Sequence, residues 1–211
     1  MGSQPYTSPI VVSMGQPAPS GALEVKGKRA QKRIPFVPRQ GQVDQILAAA
    51  KRPRDRLLLE FDLFTGLRVA ELCALEVLDV DLDQGQVIVR QGKGGKDRCV
   101  PLPARLIEPL RAWIGSRQSG PLFPSPRGGR LSTRAVQKLI KRLAAAAGLP
   151  EASKARRFTP HKLRHRYATN LYKKSKNLRV VQTVLGHESI ATTEIYTHVE
   201  DDDLKQAVVD L

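Results

Sequence analysis

The hydrophobic period of this chain switches once, from the roughly 3.6 residues of a helix to the roughly 2 of a strand, and then switches back. Residues 54–64 carry Leu57, Leu58, Phe61 and Phe64 at helical spacing, and Thr65-Gly66 breaks the pattern. Residues 67–75 resume it, with Leu67, Ala70, Cys73 and Ala74 along one side. Residues 86–91 and 98–102 then alternate as strands around the glycine-rich turn 92–97, which holds Lys93 and Lys96. Helical spacing returns at 104–114, at 132–147 with Ser132 or Thr133 as cap, and at 160–172 after Thr159. A helix at 42–50 stops at Arg52-Pro53, and 178–185, 190–196 and 202–209 are shorter helical segments. The Pro/Gly-rich stretch 120–129 reads as a loop. One hairpin enclosed by helices places the fold class as mainly α with a small antiparallel β-sheet, α+β.

Charge narrows the partners. The 211 residues hold 35 Lys and Arg against 20 Asp and Glu, for a formal charge of +15. A compact basic domain repels itself unless it meets a polyanion, so nucleic acid is the leading partner and a membrane surface the second. The hydrophobic share of 41% excludes a wholly disordered chain, and no run approaches the ~18 apolar residues of a membrane span. The first residues lack the pattern of a secretory signal. Two cysteines, Cys73 and Cys99, exclude a disulfide scaffold and fit a reducing, cytoplasmic compartment, each expected as a small buried apolar residue. Residues 1–33 have no apolar period and end in the basic run Lys26, Lys28, Arg29, Lys32 and Arg33. They read as a flexible arm, either a plain leader or a segment that touches phosphates, and the folded pattern begins near Ile34.

All 4 histidines, His161, His165, His187 and His198, fall within residues 161–211. His161, Arg164 and His165 stand at i, i+3 and i+4, on one helical face. Ring nitrogens and a guanidinium there suit a tetrahedral anion such as phosphate. A zinc shared by His161 and His165 is the weaker reading, because Arg164 between them repels a cation. Arg68 opens a helix, where unpaired N–H groups favour anions, and Glu71 three residues on is a local partner or capping acid. Lys93 and Lys96 place ammonium groups on a glycine-rich tip that reads either as a solvated turn or as a reach into a groove. Tyr167 aligns with Leu163 and Leu171 as a packing residue, whereas Tyr172 and Tyr196 are the tyrosines available to chemistry. On the helix 132–147, Arg134, Lys138, Lys141 and Arg142 form either a solvated face or a groove-facing element.

Taken together, four segments resemble the boxes of the tyrosine recombinase catalytic domain, the phage integrase and Xer family. They are TGLRVAEL from Thr65, GKGGKDRCVPLP from Gly92, TPHKLRHRYAT from Thr159 and LGHESIATTEIYTHV from Leu185, in family order with fitting gaps. The resemblance implies a site-specific DNA recombinase that cleaves and rejoins strands through a 3′-phosphotyrosine, without metal, ATP or other cofactor. It implies that Arg68 and Arg164 clamp the scissile phosphate, Lys93 is the general acid, with Lys96 the lesser alternative, and His161 handles a proton or the phosphate. It likewise implies that His187 hydrogen-bonds the phosphate, Tyr196 is the nucleophile and His165 supports the site. A type IB topoisomerase-like enzyme and a DNA-binding accessory protein are the alternatives.

By the same resemblance, residues 34–211 are the catalytic domain, the usual N-terminal core-binding domain is absent, residues 1–33 are a flexible basic arm or linker, and its stretch 26–33 lies along the DNA backbone. Double-stranded DNA is the implied partner, and the nucleoid the implied location. Residues 201–211, with Leu204, Ala207, Val208 and Leu211 on one face, either pack on their own domain or link protomers into a tetramer on DNA.

Overall fold

The computed structural model describes residues 36–90, 97–149 and 158–186. In chain order they form α1 (Gln40–Ala49), α2 (Pro53–Thr65), α3 (Val69–Ala74), β1 (Val80–Asp81), β2 (Gln86–Val89), β3 (Arg98–Pro101), α4 (Ala104–Ile114), α5 (Thr133–Ala146), α6 (Pro160–Ser175) and α7 (Leu178–Leu185). The mainly helical architecture with one small antiparallel sheet agrees with the sequence pattern. The expected helices at 190–196 and 202–209 lie outside the described residues. None of the described helices is long and apolar enough to cross a membrane.

Helix α2 is the hub. Pro53 opens it at the first position, and Leu57, Leu58, Leu59, Phe61 and Leu63 are all buried. A helix that is apolar on so many sides needs neighbours all round, and α1, α4 and α6 pack against it. The Phe61 ring meets Phe123 edge-on at 5.6 Å. Phe123 and Leu122 come from the stretch read as a loop, which plugs the core instead of skirting it. Backbone bonds from Leu122 N to Leu75 O and from Val77 N to Gly120 O hold that loop in place.

The sheet has order β1-β2-β3, with Val87 opposite Val100 and Val89 opposite Arg98. Val87, Val89 and Val100 point into the core. The two-residue β1 is too short for periodicity to reveal, so the expected hairpin has a third strand. Strand alternation turns Cys99 outward beside the buried Val100, so Cys99 is exposed and not the buried residue expected, while Cys73 is half-buried.

Helix ends use side-chain caps where the sequence offers them. Ser132 accepts from Ala135 N, Thr159 from Lys162 N, and Asn177 from Arg179 N and Val180 N. Helix α2 ends at Gly66 with φ +59, the left-handed conformation that favours glycine. The Tyr167 ring packs on this glycine so closely that a Cβ would lie 2.3 Å from Cδ1. Gly66→Ala therefore combines a left-handed penalty with a clash, and the expected loss is about 2–4 kcal/mol. Urea unfolding measures it, and an unchanged midpoint would contradict the packing described.

Candidate active site

The turn from Gly66 to α3 sets up the first arginine. Arg68 is the residue before α3, in extended conformation, and its backbone N–H donates to Glu71 Oε2 at 2.8 Å. Its side chain then folds over the same carboxylate, with Nη1 donating to Glu71 Oε1 at 2.9 Å. The other terminal nitrogen, Nη2, donates to the Gly186 carbonyl at 3.1 Å. A second guanidinium shares the acid, since Arg98 donates from Nη1 to Oε1 at 3.0 Å and from Nη2 to Oε2 at 2.7 Å. Burial pushes the Glu71 carboxyl up, but hydrogen bonds from Arg98 and Arg68 and the Arg98 charge outweigh it, leaving the group at about 2.

Helix α6 supplies the second arginine. Arg164 is 5% exposed, and Nη1 donates to Gly66 O at 2.6 Å while Nη2 donates to Leu185 O at 2.8 Å. Both arginines thus bond to consecutive carbonyls, Leu185 and Gly186, at the C-terminal end of α7. Such carbonyls lack intrahelical partners and carry the negative end of the helix dipole. Asp62 lies fully buried in α2, its carboxylate oxygens accepting no hydrogen bond among the described residues. Burial pushes it up to about 8 against the opposing Arg164 charge, so it holds its proton at neutral pH.

The two histidines of α6 part company. His161 is exposed, whereas His165 is buried. Desolvation, then Lys162 and Arg164, hold His161 below its ordinary value, and desolvation, Lys162 and His161 bring His165 to about 4. Both rings are therefore neutral at neutral pH. His161 lines a cavity of about 430 Å³ with Thr159, Arg134, Lys138 and Lys141. Arg142 turns elsewhere and pairs with the buried Asp55 at 3.1 Å. Among the described residues, no group of three or more His, Cys, Asp or Glu is placed to hold a metal ion.

The structure thus brings Arg68 and Arg164 together at the end of α7, and sets His161 beside three of the four basic residues singled out on α5. Lys93, Lys96, His187 and Tyr196 lie outside the described residues, as do Lys26, Lys28, Arg29, Lys32 and Arg33. Sequence reasoning overlooked Arg98 and Asp62. Arg98 sits inside the GKGGKDRCVPLP stretch, yet nothing local announces that it meets Glu71, 27 residues away.

A carboxyl depressed from 4.5 to about 2 contributes stability that is full above 4.5 and is lost as pH falls toward 2. That gap corresponds to about 3 kcal/mol. Glu71→Gln should therefore unfold more easily than the parent chain at pH 7, with the difference closing as pH falls from 4.5 to about 2. Urea midpoints across that range measure it, and a difference that stays constant would contradict the ion pairing.

Comparison with known proteins gives the family. The chain is 40% identical over 193 residues to tyrosine recombinase XerA of Thermococcus kodakarensis, covering 88% of this chain and 66% of that protein. It is 41% identical over 197 residues to tyrosine recombinase XerC of Xanthomonas campestris pv. campestris, covering 88% of this chain and 58% of that protein. The chain thus spans roughly three fifths of the length of these relatives. Its fold matches the crystal structure of XerA recombinase with a TM-score of 0.73 at 32% identity, over 84% of this chain and 64% of that one. It also matches XerH site-specific recombinase bound to palindromic difH substrate in a post-cleavage complex, with a TM-score of 0.71 at 32% identity, over 86% of this chain and 55% of that one. The model of the phage integrase family matches residues 38–203, most of the chain, and the chain belongs to that family.

Proposed function

We propose that residues 34–211 are the catalytic domain of a site-specific DNA recombinase that cleaves and rejoins DNA strands through Tyr196. The observation that carries this reading is the meeting of Arg68 and Arg164 at the end of α7. A phosphodiester transition state spreads negative charge over its equatorial oxygens, and two fixed guanidiniums stabilise it there. Glu71 is shared with Arg98, and Asp62 holds its proton, so neither acid cancels the arginine charge one for one.

In this reaction the Tyr196 oxygen bonds to phosphorus as the bond to the 5′ oxygen breaks, and Lys93 gives that oxygen its proton. His161 takes the proton that Tyr196 gives up, and His187 hydrogen-bonds the phosphate. The 3′-phosphotyrosine conserves the phosphodiester bond energy, so a 5′-hydroxyl can reverse the step without ATP. Neither metal nor cofactor enters the scheme. The protein acts in the compartment that holds the DNA, with the basic stretch 26–33 along the backbone. Protomers join on DNA through residues 201–211.

The basic cavity supports a DNA-facing role for Arg134, Lys138 and Lys141 on α5, with Arg142 the least available of the four because of its Asp55 pair. Lys138→Glu with Lys141→Glu should weaken duplex binding and reduce the slope of log affinity against log salt by about 2. An unchanged slope removes this face from the interface.

Covalent trapping tests the chemistry. The chain is incubated with labelled, nicked duplexes carrying dif-type sites, with EDTA and without ATP, and run on a denaturing gel. A shifted band is expected from the parent chain and from Tyr172→Phe, and no band from Tyr196→Phe. A band that survives Tyr196→Phe refutes the assigned nucleophile, and salt-sensitive binding with no band favours a DNA-binding accessory role. Relaxation of supercoils without exchange between two sites favours the topoisomerase-like alternative. Synapsis unchanged by deletion from Glu200 onward refutes assembly through the tail.

A further inference from the structure

We propose that Arg98 is a positioning residue for Arg68, bracing both groups that hold its guanidinium; the proposal rests on the recombinase reading above. The first of those groups is Glu71 Oε1, at 2.9 Å from Arg68 Nη1. Arg98 reaches the same oxygen at 3.0 Å and the other carboxylate oxygen at 2.7 Å, in a two-pronged grip. With the Arg68 backbone N–H on Oε2 as well, four N–H groups fill the acceptor sites of this carboxylate. The second group is the Gly186 carbonyl, at 3.1 Å from Arg68 Nη2. The Arg98 side chain lies on this glycine, and a Cβ there would come within 3.1 Å of Arg98 Nε and 3.2 Å of Cδ and Cζ.

The exposures fit this order of support. The Arg98 side chain is 14% exposed and that of Arg68 is 31%, so Arg98 lies behind and Arg68 faces outward. Without the Arg98 fork, the Glu71 carboxylate is free to turn about its terminal torsion, which is soft. It can then take Arg68 in a two-pronged pair of its own and draw the guanidinium off its aim. The charge balance moves in the same direction. Arg68 with Glu71 alone is neutral, whereas Arg98 makes the trio a net cation facing the phosphate. Arg98 also starts β3, paired with Val89, so it ties that strand to the Arg68 box. An Arg-to-Lys change keeps the charge but loses the fork, which makes the two contributions separable.

The test uses Arg98→Lys and Arg98→Gln in the full chain with two readouts. The first is the 15N-resolved guanidinium signals of Arg68 at neutral pH, without DNA. The parent chain should show separate, slowly exchanging Nη signals, and both variants averaged ones. The second is single-turnover covalent product on the nicked duplex at saturating protein, with affinity measured in parallel. Both variants should form product about ten- to a hundredfold more slowly, with affinity within about threefold of the parent.

Rescue by Arg98→Lys to the parent rate, or Arg68 signals unchanged in Arg98→Gln, overturns the proposal. So does a loss of rate accounted for by weaker duplex binding or by a smaller folded fraction in urea. A parent chain that cleaves no duplex defeats the recombinase reading, while the Arg68 signals still decide whether Arg98 holds that guanidinium.

Discussion

The buried guanidinium of Arg164 is the constraint around which the site is arranged. It projects from α6, and its two terminal nitrogens donate to Gly66 O after α2 and to Leu185 O at the end of α7. Leaving so buried a charge without acceptors costs several kcal/mol, roughly the whole margin of stability of many domains. The turn after α2, the middle of α6 and the end of α7 are therefore held as one unit. Gly66 serves this unit in two ways. Its positive φ ends α2 and aims its carbonyl at Arg164, and its missing side chain admits the Tyr167 ring from one turn further along α6.

Around that staple, the acids Asp62 and Glu71 do not match the arginines one for one. A buried acid next to an arginine ordinarily forms an ion pair and neutralises it. Here Asp62 is so far from water that burial outweighs the neighbouring Arg164 charge and the acid keeps its proton. Glu71 is ionised, but two arginines share it. The carbonyl dipoles at the end of α7 do much of the remaining work of stabilising positive charge without cancelling it. The cluster is thereby kept from closing into neutral pairs. Gly186, the left-handed end of α7, is the residue that gives Arg68 its carbonyl.

Much of the site was legible from local pattern. The helices 104–114 and 178–185 have the expected bounds, and the side-chain caps at Ser132 and Thr159 follow from short polar residues just before apolar periodicity. Arg68 stands out because it opens a helix after the Thr65-Gly66 break, and Arg164 because it shares a helical face with His161 and His165. What escaped detection was long-range or too short to have a period. The strand β1 has two residues, Arg98 acts across 27 positions, and Leu122 with Phe123 packs a core from a stretch rich in turn residues. The face shared by His161, Arg164 and His165 was right as helical geometry, but Arg164 and His165 are buried, and His161 alone is exposed and lines the cavity. Likewise Arg142 shares a basic helix with Lys138 and Lys141 yet is drawn to Asp55.

By itself the sequence determined the class of fold, the basic character of the surface and the residue types capable of phosphate chemistry. Those properties depend on periodicity, composition and spacing within a few turns of chain. The tertiary structure decided which cations face outward and which are structural, and it set the protonation of Asp62, Glu71 and the two histidines. Those outcomes depend on burial and on partners brought from distant segments. A side chain's charge and its aim are both set by what surrounds it, and in this chain the surroundings of Arg68 come from residues 71, 98 and 186.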